Sequence, residues 1–359
     1  MRKTAIYRDD LFLDHKPGAG HPESPDRLRV IYDELDRAEI AAPFLFPDFA
    51  AAPLETIALN HSAALIDRVR STAGRSHDFL DADTQTSAAS FDAALKAVGA
   101  LTDGVDRLMA GEIDNCFALV RPPGHHAEAE RSMGFCLFNN VAVAARHAIG
   151  KHGLERVFIV DWDLHHGNGT QNSFYENDRV FYLSTHQYPY YPGSGGVNET
   201  GRGAGKGFTA NVPLPGGQDD RAYATIWNRL ITPLVRAYRP QLILVSCGFD
   251  IYQGDPLGAM LVSARGFAYL TRVMVSLAEE VCNGRLLVTL EGGYNLTGMR
   301  DGSLAVLAEL LGNRLSTSLP IHLDKRTGED LRRAAVDLLS LEETLGVVKT
   351  HWNIDEFLD

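Results

Sequence analysis

The chain has 359 residues, 45% of them hydrophobic, with a formal net charge of −12. That length and apolar content suffice for one large α/β domain, and the acidic balance argues against a dedicated nucleic-acid binder, which needs a basic face. No run of about 18 apolar residues exists to span a membrane, and Met1 to Asp10 lacks the apolar segment of a signal peptide, so a cytoplasmic protein with no membrane partner is expected.

In chain order, Ala94, Val98, Leu101, Val105 and Leu108 recur at helical spacing. Cys116 to Val120, Val157 to Asp161, Val180 to Ser184 and Phe208 to Val212 read as strands. The spacing of Tyr223, Trp227, Leu230 and Leu234 predicts another helix, followed by a strand at Leu242 to Cys247. Phe267, Leu270, Met274, Leu277 and Val281 predict a helix, followed by a strand at Leu286 to Leu290. A last helical segment at about 327–347 carries Leu331, Leu338 and Leu345, and either caps the domain or meets a second copy; the oligomeric state has no other signal. Strands alternating with helices imply a mainly parallel sheet covered on both faces. Pro and Gly gather at no boundary, so residues 1–359 read as a single domain. Cys116, Cys136, Cys247 and Cys282 form no C-x-x-C pair and read as buried, reduced thiols.

Polar clusters follow five of these strands. Arg121-Pro122-Pro123-Gly124-His125-His126 follows the first, and Asp161-Trp162-Asp163-Leu164-His165-His166-Gly167-Asn168-Gly169 ends the second. Ser184-Thr185-His186, Gly248-Phe249-Asp250 and Glu291-Gly292-Gly293-Tyr294 close three more. Ligands of a parallel sheet bind at the carboxyl ends of its strands, so these groups are expected to converge. Asp163 and His165 are two apart and point to the same side of an extended segment. With Asp250 they make a three-ligand set with an open position, suited to zinc and also to ferrous iron. A histidine of the pair His125–His126 beside a metal-bound water can take its proton and return it to a leaving amine, with Asp161 and Asn168 as candidates to orient the two rings. Tyr294 could donate a hydrogen bond to an oxyanion. The glycine-rich stretch Gly193 to Gly207 is no P-loop: Thr200 stands where its first Gly belongs, no Ser or Thr follows Lys206, and a strand follows. It reads as a flexible loop near the site mouth.

The set R-P-P-G-H-H, D-W-D-L-H-H-G-N-G-T-Q, P-G-S-G, G-F-D-x-x-x-G-D-P and E-G-G-Y, in that order from about His21 to about Leu311, resembles the histone deacetylase family, including its bacterial amidohydrolases and acetylpolyamine amidohydrolases. His21-Pro22-Glu23-Ser24-Pro25-Asp26-Arg27 looks like the first active-site loop of class II members. The resemblance implies an arginase-like α/β fold with a central sheet of about eight strands. It implies zinc on Asp163, His165 and Asp250, with His126 as general base and acid, His125 paired to Asp161, and Tyr294 as oxyanion donor. It implies a tunnel for an acyl-lysine-like chain walled by Phe135 and Tyr191, with His21, Pro22, Glu23, Gly134 and Leu257 beside it. A structural potassium is implied near Asp161, Asp163, His165, Ser184 and Thr185, and a second near Phe174, Asn177, Val180 and Phe208. The implied activity is hydrolysis of acetyl-lysine or a related acylated amine.

Three positions qualify this resemblance. Asn168 stands where class I members have Asp, which keeps the hydrogen bond but removes its charge. Tyr294 is kept, whereas class IIa members carry His there. Leu257 replaces the Glu of polyamine-selective class II members. An arginase-like dimanganese hydrolase would need a second carboxylate after Asp250, where Ile251 and Tyr252 stand. A silent acyl-lysine binding module would have no need of both histidines, all three ligands and Tyr294.

Overall fold

The computed structural model describes residues 2–312 and 314–357. Nine strands occur among them: β1 (Thr4–Tyr7), β2 (Asp78–Phe79), β3 (Gln85–Thr86), β4 (Asn115–Ala118), β5 (Val157–Asp161), β6 (Val180–Gln187), β7 (Thr209–Leu214), β8 (Leu242–Cys247) and β9 (Leu286–Leu290). Seven form one sheet in the order β1-β4-β9-β8-β5-β6-β7, every neighbouring pair parallel, while β2 and β3 make a separate antiparallel ribbon. The central sheet among the described residues thus has seven strands, one fewer than the resemblance implies. β5 and β8 are buried along their whole length, as their unbroken apolar runs require of strands covered on both faces.

Helices Ser90–Ala110 and Asn140–His152 pack on each other, and Ala264–Cys282 packs on Leu296–Leu311. Most of their apolar residues merge with the sheet in a core that runs from β1 to Ile354, while Phe91, Ala94, Val98 and Val143 join a second, smaller cluster. The helix expected around 223–234 spans Asp220–Tyr238 and widens into a π-helical turn at Trp227–Ile231. The C-terminal helical segment is not continuous: Lys325–Arg332 and Leu339–Val348 are separate helices. Leu331, Leu338 and Leu345 are all buried in the core of the chain, while Leu339 is exposed. The stretch 193–207 is also better fixed than a flexible loop. Glu199 accepts hydrogen bonds from the Gly195 and Gly196 amides at 2.9 Å and from Gln171 Nε2 at 2.6 Å.

Candidate active site

The central strands β4, β9, β8 and β5 lie side by side, so the polar segments that follow them meet at one edge. Asp163 and His165 follow β5 and Asp250 follows β8; His165 Nδ1 lies 3.2 Å from both Asp163 Oδ1 and Asp250 Oδ2. Asp163 and Asp250 are completely buried. Burial and the neighbouring Asp163 carboxylate push Asp250 up to about 7. Burial opposes ionisation of Asp163 as well, but His125 and His165 outweigh it and hold that carboxyl below its usual range.

These residues fit a divalent cation. Two buried carboxylates face one imidazole nitrogen, a donor set of the mixed oxygen and nitrogen kind. Backbone amides fill the outward lone pairs: Gly292 N donates to Asp163 Oδ2 at 2.7 Å, and Leu164 N donates to Asp250 Oδ1 at 2.8 Å. A Cβ at Gly292 would meet Asp250 Oδ2 and come within 2.6 Å of Asp163 Oδ2. Glycine is needed there for close approach, not for its backbone angles.

The two histidines after β4 lie against this trio, with ring centroids 4.0 Å apart. Glu291, at the end of β9, binds their loop from beneath by accepting from the Gly124 and His125 amides at 2.7 and 3.1 Å. His125 Nδ1 lies 3.1 Å from Asp161 Oδ2, which also accepts from the Tyr182 hydroxyl at 3.0 Å. Burial alone would lower the His125 pKa, but Asp163 and Asp161 outweigh it and raise it to about 10.

His126 differs. Its Nδ1 lies 2.8 Å from Asn168 Oδ1, and burial, His125 and His165 together hold it well below the ordinary imidazole range. Asn168 Nδ2 in turn donates to Glu128 Oε1 at 2.7 Å, a carboxylate that also accepts from Asn172 Nδ2. A carboxylate can only accept, so the amide nitrogen of Asn168 must face Glu128 and its oxygen must face His126. Nδ1 of His126 therefore carries the proton, and Nε2 keeps its lone pair. Glu128 was not among the residues singled out from sequence; its only signal was its place two residues after His126.

The match to known proteins follows this geometry. Residues 21–310 match the model of the histone deacetylase domain. The chain belongs to the histone deacetylase family. It is 37% identical to a probable deacetylase of Archaeoglobus fulgidus over 87% of this chain and 88% of that protein. It is likewise 37% identical to a histone deacetylase-like amidohydrolase of Pseudomonas aeruginosa, over 89% of each. The crystal structure of the HDA15 HD domain superposes with a TM-score of 0.87 at 35% identity, covering 98% of this chain and 95% of that one. The sheet and its flanking helices are therefore those of the deacetylase fold.

Within the deacetylase fold, the remaining expected residues fall into three groups. Around the Asp163–His165–Asp250 trio, Tyr191 stands edge-on to His126 at 5.0 Å, and Phe135 stands edge-on to Tyr294 at 6.0 Å and to His21 at 4.7 Å between ring centroids. Gly134 and Phe135 both have positive φ, 57° and 68°, and a Cβ on Gly134 would strike the His126 ring. Pro22 is exposed, and Leu257 is half-buried with its amide on Asp255 Oδ1 at 2.9 Å. Asp255 Oδ2 also accepts from the Tyr294 and Asn295 amides, tying the Leu257 turn to the Tyr294 turn.

Glu23, expected beside the tunnel, has no exposed surface. Its carboxylate accepts from Arg27 NH1 at 2.8 Å and from Arg121 through both oxygens, and lies 3.2 Å from His15 Nε2. Arg27, so balanced, donates to the carbonyls of Glu291 and Gly293 and lies 5.0 Å beneath the Tyr294 ring. The first loop thus acts as an internal clamp on the turn that carries Tyr294.

In the group expected near potassium, Asp161, the last residue of β5, is the register partner of Ser184, which lies within β6. Ser184 Oγ lies 2.9 Å from His186 Nδ1, and Thr185 is completely buried. At the second expected position, the Phe174 and Phe208 carbonyls accept from the Asn177 and Tyr182 amides at 2.9 and 3.0 Å, and Asn177 Oδ1 accepts from the Val180 amide at 3.1 Å.

Proposed function

We propose that this deacetylase is a zinc-dependent amidohydrolase that releases the acyl group of acetyl-lysine or a related acylated primary amine. The observation that carries the reading is the meeting of three kinds of group at one sheet edge: a buried Asp–His–Asp trio, an imidazole with a free Nε2, and a phenol. Zinc on Asp163, His165 and Asp250, when bound, lowers the pKa of a water and polarises the amide carbonyl. His126 Nε2 accepts the proton of the attacking water, because its Nδ1 proton is committed to Asn168. The same nitrogen then delivers that proton to the leaving amine.

Glu128 restores, one link further out, the negative charge that Asn168 lacks, and so supports the imidazolium that forms on His126. His125 stays protonated on Asp161 and adds positive charge beside the trio. Tyr294, whose hydroxyl burial holds well above its ordinary pKa, remains a donor and holds the developing oxyanion. Tyr191 and Phe135 wall the approach for an extended acyl-bearing chain, with His21, Gly134 and Leu257 near its mouth. A potassium ion at Asp161, Asp163, His165, Ser184 and Thr185 belongs to the same proposal. The four free, buried cysteines suit a reducing cytoplasm, and no described helix is long and apolar enough to cross a membrane.

A panel of acyl-lysine peptides, acetylpolyamines and short acyl amides, assayed with zinc and after chelation, tests the reading. Metal-dependent release of acid from acyl-lysine supports it, and inactivity on every member with metal bound contradicts it.

A further inference from the structure

Among the described residues, only two places bring three histidine, cysteine or carboxylate ligand atoms within 4.8 Å of one another. One is the Asp163–His165–Asp250 trio. The other is Asp106, His147 and His152, on the opposite side of the sheet's strand direction. Asp106 lies in the last turns of helix Ser90–Ala110, which leads into β4; His147 and His152 lie in the last turns of helix Asn140–His152, which leads into β5. The cluster therefore stands at the amino-terminal edge of the strands, whereas the candidate active site stands at their carboxyl-terminal edge.

We propose that Asp106, His147 and His152 form a second binding site, for a late first-row divalent metal such as zinc, which clamps the two helices together. Both imidazoles point the same nitrogen at the same oxygen: His147 Nε2 is 2.8 Å and His152 Nε2 is 2.7 Å from Asp106 Oδ1. The two rings are 6.0 Å apart between centroids and steeply inclined, so their nitrogens converge from different directions. Two imidazoles with one carboxylate select zinc, cobalt, nickel or copper over magnesium and calcium. Lys151 Nζ, 2.7 Å from Asp106 Oδ2, holds the carboxylate by its other oxygen and leaves Oδ1 to the ion. The three side chains are 14%, 21% and 32% exposed, for His147, His152 and Asp106 in turn. That is open enough for an ion to enter and for water to complete its coordination.

To bind the ion, each imidazole carries its proton on Nδ1 and offers the Nε2 lone pair. The carboxylate is already ionised. Burial opposes this, but the hydrogen bonds from Lys151, His152 and His147 outweigh it and hold Asp106 at about 2. The C-terminal end of a helix also favours positive charge beside His152.

The test is equilibrium dialysis of the zinc-loaded full chain against additional zinc, with bound metal counted per chain by atomic absorption. Wild type should hold one more zinc than the His147→Ala/His152→Ala double variant, and its melting temperature should rise with added zinc while the variant's does not. His152→Gln, which keeps a hydrogen-bonding side chain beside Asp106, should lose the extra ion too, at an unchanged metal-free melting temperature. Equal stoichiometry in wild type and variants, with or without an extra ion, would overturn the proposal. Because the readout is a difference between proteins with the same Asp163–His165–Asp250 trio, it stands apart from the fate of the deacylase reading.

Discussion

Tyr294 is placed by contacts to its backbone and ring: Asp255 accepts from its amide at 2.7 Å and Arg27 lies beneath the ring. These contacts hold the backbone and ring and leave the hydroxyl as the oxyanion donor of the proposed mechanism. Tyr294→Phe should keep metal stoichiometry and melting temperature and lower kcat by about 100-fold, the scale of one lost oxyanion donor. Unchanged turnover removes the phenol from the mechanism. The chain His126–Asn168–Glu128 makes a second prediction. Glu128→Gln should lower kcat about tenfold with little change in KM, and adding Asn168→Asp, which moves the charge one link inward, should recover most of the loss. A double variant no better than Glu128→Gln would show that the charge of Glu128 does not act through Asn168. The Asp163–His165–Asp250 trio and the histidine pair were legible from sequence because carboxylates and imidazoles at the end of an apolar run have few uses. Glu128 and Glu23 were not. What a carboxylate in a loop does depends on its partners, and the arginine that claims Glu23 is 98 positions away.

Between elements, buried histidines and ion pairs fasten the loops to the frame. His61, just before the helix Ala63–Arg70, accepts from the Asn139 amide through Nε2 at 2.8 Å and so donates through Nδ1 to the Glu128 carbonyl at 2.9 Å. Burial lowers its pKa to about 4. A folded-state value below the unfolded one means that the unfolded chain binds more protons between about pH 6.5 and pH 4. Its contribution is complete above pH 6.5 and is lost as pH falls through that window, by about 3 kcal/mol at the lower end. Urea titrations across this range should show that slope in wild type and its loss in His61→Gln; parallel pH profiles would contradict it. Glu23→Gln leaves Arg121 and Arg27 short of charge in a closed interior, and should cost on the order of 3–5 kcal/mol by the same titration at pH 7. A cost under about 1 kcal/mol would mean the clamp is not electrostatic. The strands of the sheet centre were readable as apolar runs, and three of them, β5, β8 and β9, match their expected bounds. β1 was not: four residues between Arg2-Lys3 and Arg8-Asp9 carry too little pattern, and only pairing with β4 makes them a strand.

At the scale of the whole molecule, one sheet edge gathers groups from four strands that are scattered from residue 121 to residue 294. The order of those strands was not readable from any one segment, because parallel neighbours are joined through helices and need not be consecutive. Only their shared habit of ending in polar residues pointed to a common site. The proposed function makes this edge a zinc-dependent amidohydrolase centre. The most direct measurement is release of acetate from an acetyl-lysine peptide by one protein preparation in three states: as purified, stripped by chelation, and reloaded with one equivalent of zinc, with Asp250→Asn carried in parallel. Activity should be lost on stripping, return with one zinc per chain, and not return in Asp250→Asn. Full activity in the stripped protein, or none after one equivalent of zinc has bound at the trio, would contradict it.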